Sequence, residues 1–114
     1  MRTKITLLFV IIISSLISKV NATTYTAQAS TGWSVTTTWS PNGTPTVTDD
    51  VIIPNGFAVT APTANAICKT LTIDAGGSLD FGAAAFTLTV GASGQTGNSM
   101  NIAGTFNSSS ASSV

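Results

Sequence analysis

Apolar and polar residues alternate in short runs along the chain after residue 50. In residues 71–73 and 86–90 every second position is apolar, and Thr fills the positions between. Because successive side chains of a β-strand point to opposite faces, each such segment buries one face and leaves Thr in water. By the same criterion, short strands are predicted at residues 51–53, 58–60, 67–73, 78–81, 86–90, 100–102 and 105–106.

Turn-forming segments separate these strands at residues 54–56, 74–77 and 91–94, and each segment contains Gly. Gly supplies backbone conformations that other residues resist. No segment after residue 22 shows the period of an amphipathic helix. Glu is absent there, and Lys, Arg, Gln and Leu, the other good helix formers, are scarce. The sequence therefore predicts an all-β fold.

A weak internal repeat organises the strands. Residues 71–81 are echoed by residues 100–107, so that Met100 corresponds to Leu71 and Gly104 to Gly77, and residues 51–53 precede them as an earlier copy of the first strand. Steps of about 20–29 residues, each holding two or three short strands, suit a parallel β-helix. This solenoid would have about three coils over residues 51–107. The alternative is a β-sandwich of seven or eight strands, as in many carbohydrate-binding modules, which gives similar alternation.

Residues 1–22 have the pattern of a secretory signal peptide. Arg2 and Lys4 precede an apolar run over residues 5–17, and the small residues Val20 and Ala22 precede the expected cleavage point. The run is shorter than the roughly 20 apolar residues that span a bilayer. We therefore expect a protein that is secreted or held at the cell surface, with no stable membrane span after cleavage.

The other end of the chain is rich in Ser. Residues 108–114 contain five Ser and follow directly on a repeat that has only begun. A solenoid needs a cap or a further coil at each end, since an open end exposes core and unpaired strand edges. We expect the solenoid to continue in a longer protein.

The charge composition excludes most reaction classes. Charged residues make up 7% of the chain, which has no His, whereas roughly 25% is usual. Residues 23–114 keep Lys69 as their only base beside four Asp, a formal charge of −3. Some β-helical proteins are polysaccharide lyases or hydrolases, but these need a proton-accepting base or paired carboxylates. We expect no catalytic site, no cofactor and no binding of nucleic acid, which requires a basic surface.

Three kinds of side chain, Asp, Cys and Trp, remain as candidates for a specific role. Asp49 and Asp50 are a weak candidate Ca²⁺ site, against the alternative of a turn whose carboxylates accept backbone N–H groups. Asp80 is expected to face water, and Asp74 to lie in a turn. Cys68 is the single Cys, so it is either a small buried apolar residue or a thiol for an intermolecular disulfide.

Trp33 and Trp39 are the candidate ligand-binding residues, and both lie in the segment of residues 23–50 that precedes the predicted coils. Exposed aromatic rings would stack on a sugar. The favoured alternative is that both rings cap the open end of the core, each burying roughly 150–250 Å².

Several motifs follow one another in residues 32–60: GWS at 32–34, TWSPNGTP at 38–45 and DDVIIPNG at 49–56. The later LTI at 71–73 and GSL at 77–79 continue the order. This order resembles the N-terminal segment of secreted surface proteins of Bacteroidetes bacteria. It is also similar to the eight-glycine domain of animal surface and hyaluronan-related proteins. The likeness covers about residues 25–106.

The resemblance implies a right-handed β-helical module at the start of a large exported protein, often one carried by the type IX secretion route. Together with the shortage of reactive groups, it leads us to expect a non-catalytic structural or adhesive module. Its partners would be glycans or other cell-surface components. The alternatives are a carbohydrate-binding module or the N-terminal part of a larger glycan-degrading enzyme.

Overall fold

The computed structural model describes residues 21–61, 65–82, 87–91, 97 and 99–107. Most of the signal-peptide segment, Phe86 and the Ser-rich residues 108–114 lie outside the described residues. Within the described ranges, no helix has the length and apolar character needed to cross a membrane. A single turn of 3₁₀ helix covers Thr36–Thr38. The strands are β1 Thr24–Ala27, β2 Trp39–Ser40, β3 Asp50–Ile53, β4 Ala58–Thr60, β5 Ala66–Cys68, β6 Thr70–Ile73, β7 Ser78–Asp80, β8 Leu88–Val90, β9 Met100–Ile102 and β10 Thr105–Asn107.

The prediction of an all-β fold is confirmed. The strands form three sheets with the orders β2-β1-β3-β6-β9, β10-β7-β4 and β5-β8. Among the described strands, every pairing is parallel except that of β1 with β2. The chain visits the three sheets in turn: β3, β4 and β5 form a first layer, β6, β7 and β8 a second, and β9 and β10 begin a third.

Residues 67–73 are two strands, and the prediction of one continuous strand was wrong. The chain turns at Lys69, whose backbone N–H donates a 2.7 Å hydrogen bond to the carbonyl oxygen of Asp49. Cys68 ends β5, and Thr70 begins β6, which belongs to a different sheet. The buried residues on either side, Cys68 and Leu71, are three positions apart instead of two. That break in alternation marks the corner.

Register brings the apolar residues of successive layers into columns that fill the core. One column runs Tyr25–Val51–Leu71–Met100, a second runs Ile53–Ile73–Ile102, and a third runs Val59–Leu79–Phe106. In the first two layers the side chains of these columns that come from β3, β4, β6 and β7 are at most 1% exposed. Full burial of such a side chain contributes roughly 1.5–3 kcal/mol. The alternating sequence therefore becomes a stacked core.

The polar positions of the alternation form matching columns on the outside. Thr26, Ile52, Thr72 and Asn101 are register partners in consecutive strands of the five-stranded sheet. Hydroxyl and amide side chains thus cover most of this face, as the Thr-rich alternation predicts. Ile52 interrupts them and is half-buried.

Candidate functional site

The segment between β1 and β3 covers the edge of the first layer. Strand β2 pairs antiparallel with β1, matching Ala27 with Trp39, and so forms the outer strand of the five-stranded sheet. Earlier in the segment, the backbone N–H of Trp33 donates a 2.6 Å hydrogen bond to the carbonyl oxygen of Thr60, and Gly32 bridges to Thr60 in parallel. The segment is therefore attached to the edges of two sheets.

The two Trp side chains face the core from this segment. Trp33 is 3% exposed and Trp39 is 0% exposed. Their ring centroids lie 5.1 Å apart at an interplanar angle of 74°, an edge-to-face arrangement that favours aromatic pairs. The indole N–H of Trp39 donates a 2.8 Å hydrogen bond to the carbonyl oxygen of Trp33. A sugar platform needs an exposed ring face, and neither ring offers one.

Two polar side chains of this segment, which the sequence did not single out, hold it together. The buried Thr38 donates a 2.7 Å hydrogen bond from Oγ1 to the carbonyl oxygen of Gly32. The Gln28 side-chain amide donates to the carbonyl oxygen of Trp39 at 2.8 Å and to Oδ1 of Asn42 at 3.1 Å. Thr38 is one of three consecutive Thr, so no sequence signal separates it from its exposed neighbours.

Asp49 is the anchor between this segment and β3. Its Oδ1 accepts a 2.9 Å hydrogen bond from the backbone N–H of Thr23. Its Oδ2 accepts bonds from the backbone N–H and the hydroxyl of Thr46, at 2.9 and 2.6 Å. Burial opposes ionisation of the carboxyl, but the hydroxyl bond from Thr46 and the N–H bonds from Thr23 and Thr46 outweigh it, and the pKa of Asp49 lies below its usual value.

Asp50 is turned to a different set of partners. Its Oδ1 accepts a 2.6 Å hydrogen bond from the hydroxyl of Thr70, its register partner in β6. The two adjacent carboxylates therefore serve separate contacts instead of converging on one point. Among the described residues, no group of three or more His, Cys, Asp or Glu could hold a metal ion. The geometry at Asp49 is that of a turn anchor.

The remaining candidates, Asp80, Asp74 and Cys68, have three different environments. Asp80 is half-buried on the outer side of β7, and its Oδ1 accepts a 2.7 Å hydrogen bond from the backbone N–H of Gly82. Asp74 is exposed in the turn after β6. Cys68 is a buried free thiol; burial first, and the negative charge of Asp50 second, raise its pKa to about 12. A protonated, buried thiol is inert.

Polar groups inside the described part of the fold are thus used by the fold itself. No buried side-chain nitrogen or oxygen there lacks a hydrogen-bond partner. The buried polar side chains therefore hold the described strands and turns together.

The opposite end of the stack has a different surface. We call Met100–Ile102 and Thr105–Asn107, the strands β9 and β10, the third-layer edge. Met100, Ile102 and Phe106 are 43%, 39% and 38% exposed. Their register partners in the second layer are buried. Three of the six exposed large apolar side chains among the described residues lie on this edge, which the sequence indicated only as the start of an incomplete repeat.

A scan against protein-family models, a search of the curated proteins and a search of the solved structures each found no match to this chain.

Proposed function

We propose that the chain is a non-catalytic structural or adhesive module with a parallel β-helical fold, carried by a protein that is secreted or held at the cell surface. The observation that supports it best is the pairing order. Strands that follow one another in sequence lie in different sheets, and each pairs in parallel with the strand one layer later. A β-sandwich consists of antiparallel sheets, whereas this order is the one that a solenoid produces.

The use of the polar side chains supports a scaffold instead of an enzyme. Asp49, Asp50 and Asp80 each accept hydrogen bonds from the chain's own groups. Lys69 is the only base after residue 22. A glycoside hydrolase needs two carboxyl groups facing each other across a bond, and a lyase needs a base near the substrate. Asp49 and Asp50, the two adjacent carboxylates, are turned to separate partners within the fold.

The N-terminal segment supports a position at the start of such a module. Residues 23–50 supply the antiparallel β2 and the two buried Trp, which together cover the first layer. In this proposal residues 1–22 direct export and are removed, residues 23–50 cap the solenoid, and residues 51–107 form its right-handed coils. The motif order in residues 32–60 agrees with that assignment.

The experiment is to express the full chain in an exporting bacterium and recover it from the medium or surface. We expect an N-terminus at Thr23, cooperative unfolding reported by the fluorescence of Trp33 and Trp39, and no product from a panel of polysaccharides. Degradation of any polysaccharide by the purified protein alone would overturn the proposal. Retention of the chain in the cytoplasm, with Met1 intact, would remove the export assignment.

Glycan-array binding by the same purified protein distinguishes a scaffold from a carbohydrate-binding module. Trp33 and Trp39 are buried, so we expect no binding on a glycan array that depends on them. The matched variants are Trp33→Phe and Trp39→Phe, which keep an aromatic ring in the core. Glycan binding by the parent that these variants lose, while still folded, would favour the carbohydrate-binding alternative.

A further inference from the structure

The third-layer edge exposes residues of the kind that the rest of the fold buries. Met100 and Ile102 continue the columns that contain Leu71 and Ile73, and Phe106 continues the column of Leu79. The second-layer members are at most 1% exposed, whereas the third-layer members are about 40% exposed. What covers the second-layer side chains is the next layer of the stack. The third-layer side chains lack that cover among the described residues.

The edge is also free of the usual protection against strand pairing. Exposed edge strands are normally guarded by Lys, other charges or Pro. Residues 99–107 contain no charged residue and no Pro. Their polar residues are Ser, Asn and Thr, whereas the paired strands carry Asp50 and Asp80 among their outward residues. The edge thus keeps the apolar positions of the paired strands and has no charge at its outward positions.

A second corner, where the chain turns from the five-stranded to the three-stranded sheet at Gly77 and again at Gly104, adds a steric requirement. A Cβ atom on Gly77 would lie 2.6 Å from the carbonyl oxygen of Ile53 and 2.9 Å from that of Pro54. A Cβ atom on Gly104 would meet the carbonyl oxygens of Gly77 and Asp74. At this corner each layer therefore lies with bare backbone directly on the layer before it. Only Gly meets that approach without displacing a neighbour.

The hydrogen bonds at the corner repeat from layer to layer. The backbone N–H of Ser78 donates to the carbonyl oxygen of Phe57 at 3.0 Å. One layer later, the N–H of Thr105 donates to the carbonyl oxygen of Gly77 at 3.0 Å. The next acceptor in this series is the carbonyl oxygen of Gly104. A new layer would have to present its N–H there.

We propose that the third-layer edge binds one further parallel layer of defined sequence pattern. Its occupant is an extended segment with two apolar residues spaced by two, which stack on Met100 and Ile102. A Gly follows, which stacks on Gly104, and then an apolar residue two positions later, which stacks on Phe106. This inference rests on the β-helical fold of the proposed function and names the partner of its exposed end.

The direction of pairing favours such a segment over a second copy of the chain. All the pairings between these layers are parallel. Two copies that met edge to edge through a two-fold axis would pair their strands antiparallel. Such a pair of copies would also not reproduce the close backbone packing of Gly104 on Gly77. A segment that continues the stack reproduces both features.

The test inserts a second copy of residues 81–107 between Asn107 and Ser108 of the full chain. Asp80 and Asn107 are register partners, so the segment from Phe81 to Asn107 is one repeat. A matched control carries Gly104→Val in the inserted copy only. A second control carries Met100→Lys and Ile102→Lys in the inserted copy only. Hydrogen exchange of the original residues 100–107 is the main measurement, with Tm as the second.

The unmodified insert is expected to slow exchange at the original residues 100–107 by about tenfold or more and to raise Tm by about 5 °C or more. Both control inserts are expected to lose these effects. Unchanged exchange with the unmodified insert would overturn the proposal, and so would equal protection by the Gly104→Val insert. A parent protein that sediments as a dimer with residues 100–107 already protected would show that a second copy fills the edge.

Two further measurements keep the result unambiguous. If an insert aggregates, a synthetic peptide of residues 81–107 is added to the parent; no protection at saturating peptide would also overturn the proposal. Exchange at residues 50–53 and 70–73 of the parent tests the proposed function separately. If those strands are unprotected, the fold assignment fails. If they are protected while the insert has no effect, only the inference about the edge fails.

Discussion

The indole N–H of Trp39 donates its hydrogen bond to the backbone carbonyl oxygen of Trp33, and the two rings stand edge to face 5.1 Å apart. The bond gives a partner to the one polar atom of a ring that is 0% exposed. It also fixes the distance between two parts of the chain that attach to different sheets. The pair therefore covers the first layer with apolar contact, and the indole N–H of Trp39 keeps a hydrogen-bond partner.

Trp39→Ala is expected to lower the free energy of unfolding by about 3–5 kcal/mol, because it opens a large cavity in the core. Trp39→Phe keeps most of the apolar contact but leaves the carbonyl oxygen of Trp33 without its donor, so about 1–3 kcal/mol is expected. Urea unfolding followed by far-UV circular dichroism measures both. Val35→Ala, at a residue that is 44% exposed, is the control and should change stability by less than about 0.5 kcal/mol. Equal stability of Trp39→Ala and Val35→Ala would contradict the cap.

Asp49→Asn should weaken the anchor, because the side chain then carries no charge and one of its two oxygens becomes an N–H₂ donor. A loss of about 1–3 kcal/mol at pH 7 is expected from the broken hydrogen bonds. The control is Asp74→Asn, at an exposed carboxylate in a turn, and it should have little effect at the same pH.

The lowered pKa of Asp49 predicts that the stability of the protein depends on pH. The pKa of Asp49 is lowered by folding below its ordinary value of 3.8. Its stabilising contribution is therefore fully present above about pH 4 and is lost as the pH falls through the lower, folded pKa. The stabilities of the parent and of Asp49→Asn should converge in that range. A stability difference that stays constant from pH 7 to pH 2 would contradict this role.

Cys68 provides a prediction at alkaline pH. Its pKa is about 12 in the folded protein against 9.0 for an ordinary thiol, so the folded state holds the proton more tightly. The resulting stabilisation is fully present below about pH 9 and is lost as the pH rises from 9 towards 12. A thiol reagent should leave the folded protein unlabelled and label the urea-unfolded chain at once. Cys68→Ala should flatten the alkaline decline, and rapid labelling of folded protein would contradict the burial.

Gly77→Ala is expected to destabilise the protein by about 1–3 kcal/mol, since the new methyl group would press on the carbonyl oxygens of Ile53 and Pro54. Gly32→Ala is the matched control. A Cβ atom there meets Val35 at 3.4 Å and only one further atom within 4 Å. Thermal unfolding of the two variants side by side measures the difference. Similar Tm values for both would show that the corner accommodates a side chain.

Local patterns in the sequence predicted the strands because alternation and Gly-rich turns act within a few residues. The strands of residues 51–53 and 58–60 were found in this way, as was the turn that contains Asp74. The corner at Lys69 was missed, since Ile67, Leu71 and Ile73 all stand at odd positions and look like members of one alternating run. The register between strands adds the information that separates them.

The candidate site was less accessible to sequence reasoning, because its contacts join distant parts of the chain. Asp49 accepts a hydrogen bond from Thr23, which lies far earlier in the sequence. Thr38 is buried while Thr36 and Thr37 are exposed, and nothing in the sequence distinguishes the three. The alternatives at Trp33 and Trp39 differed only in exposure, a property that depends on what packs over each ring.

Strand β2 runs against its neighbour, so the two ends of the five-stranded sheet are chemically unlike. A stack of uniform parallel layers would offer matching templates at both ends, and copies could join head to tail into open fibres. With the early end occupied by a short strand of opposite direction, copies that joined head to tail at this sheet would lose the parallel pairing that links the other strands. The direction of β2 therefore acts against self-association through the five-stranded sheet.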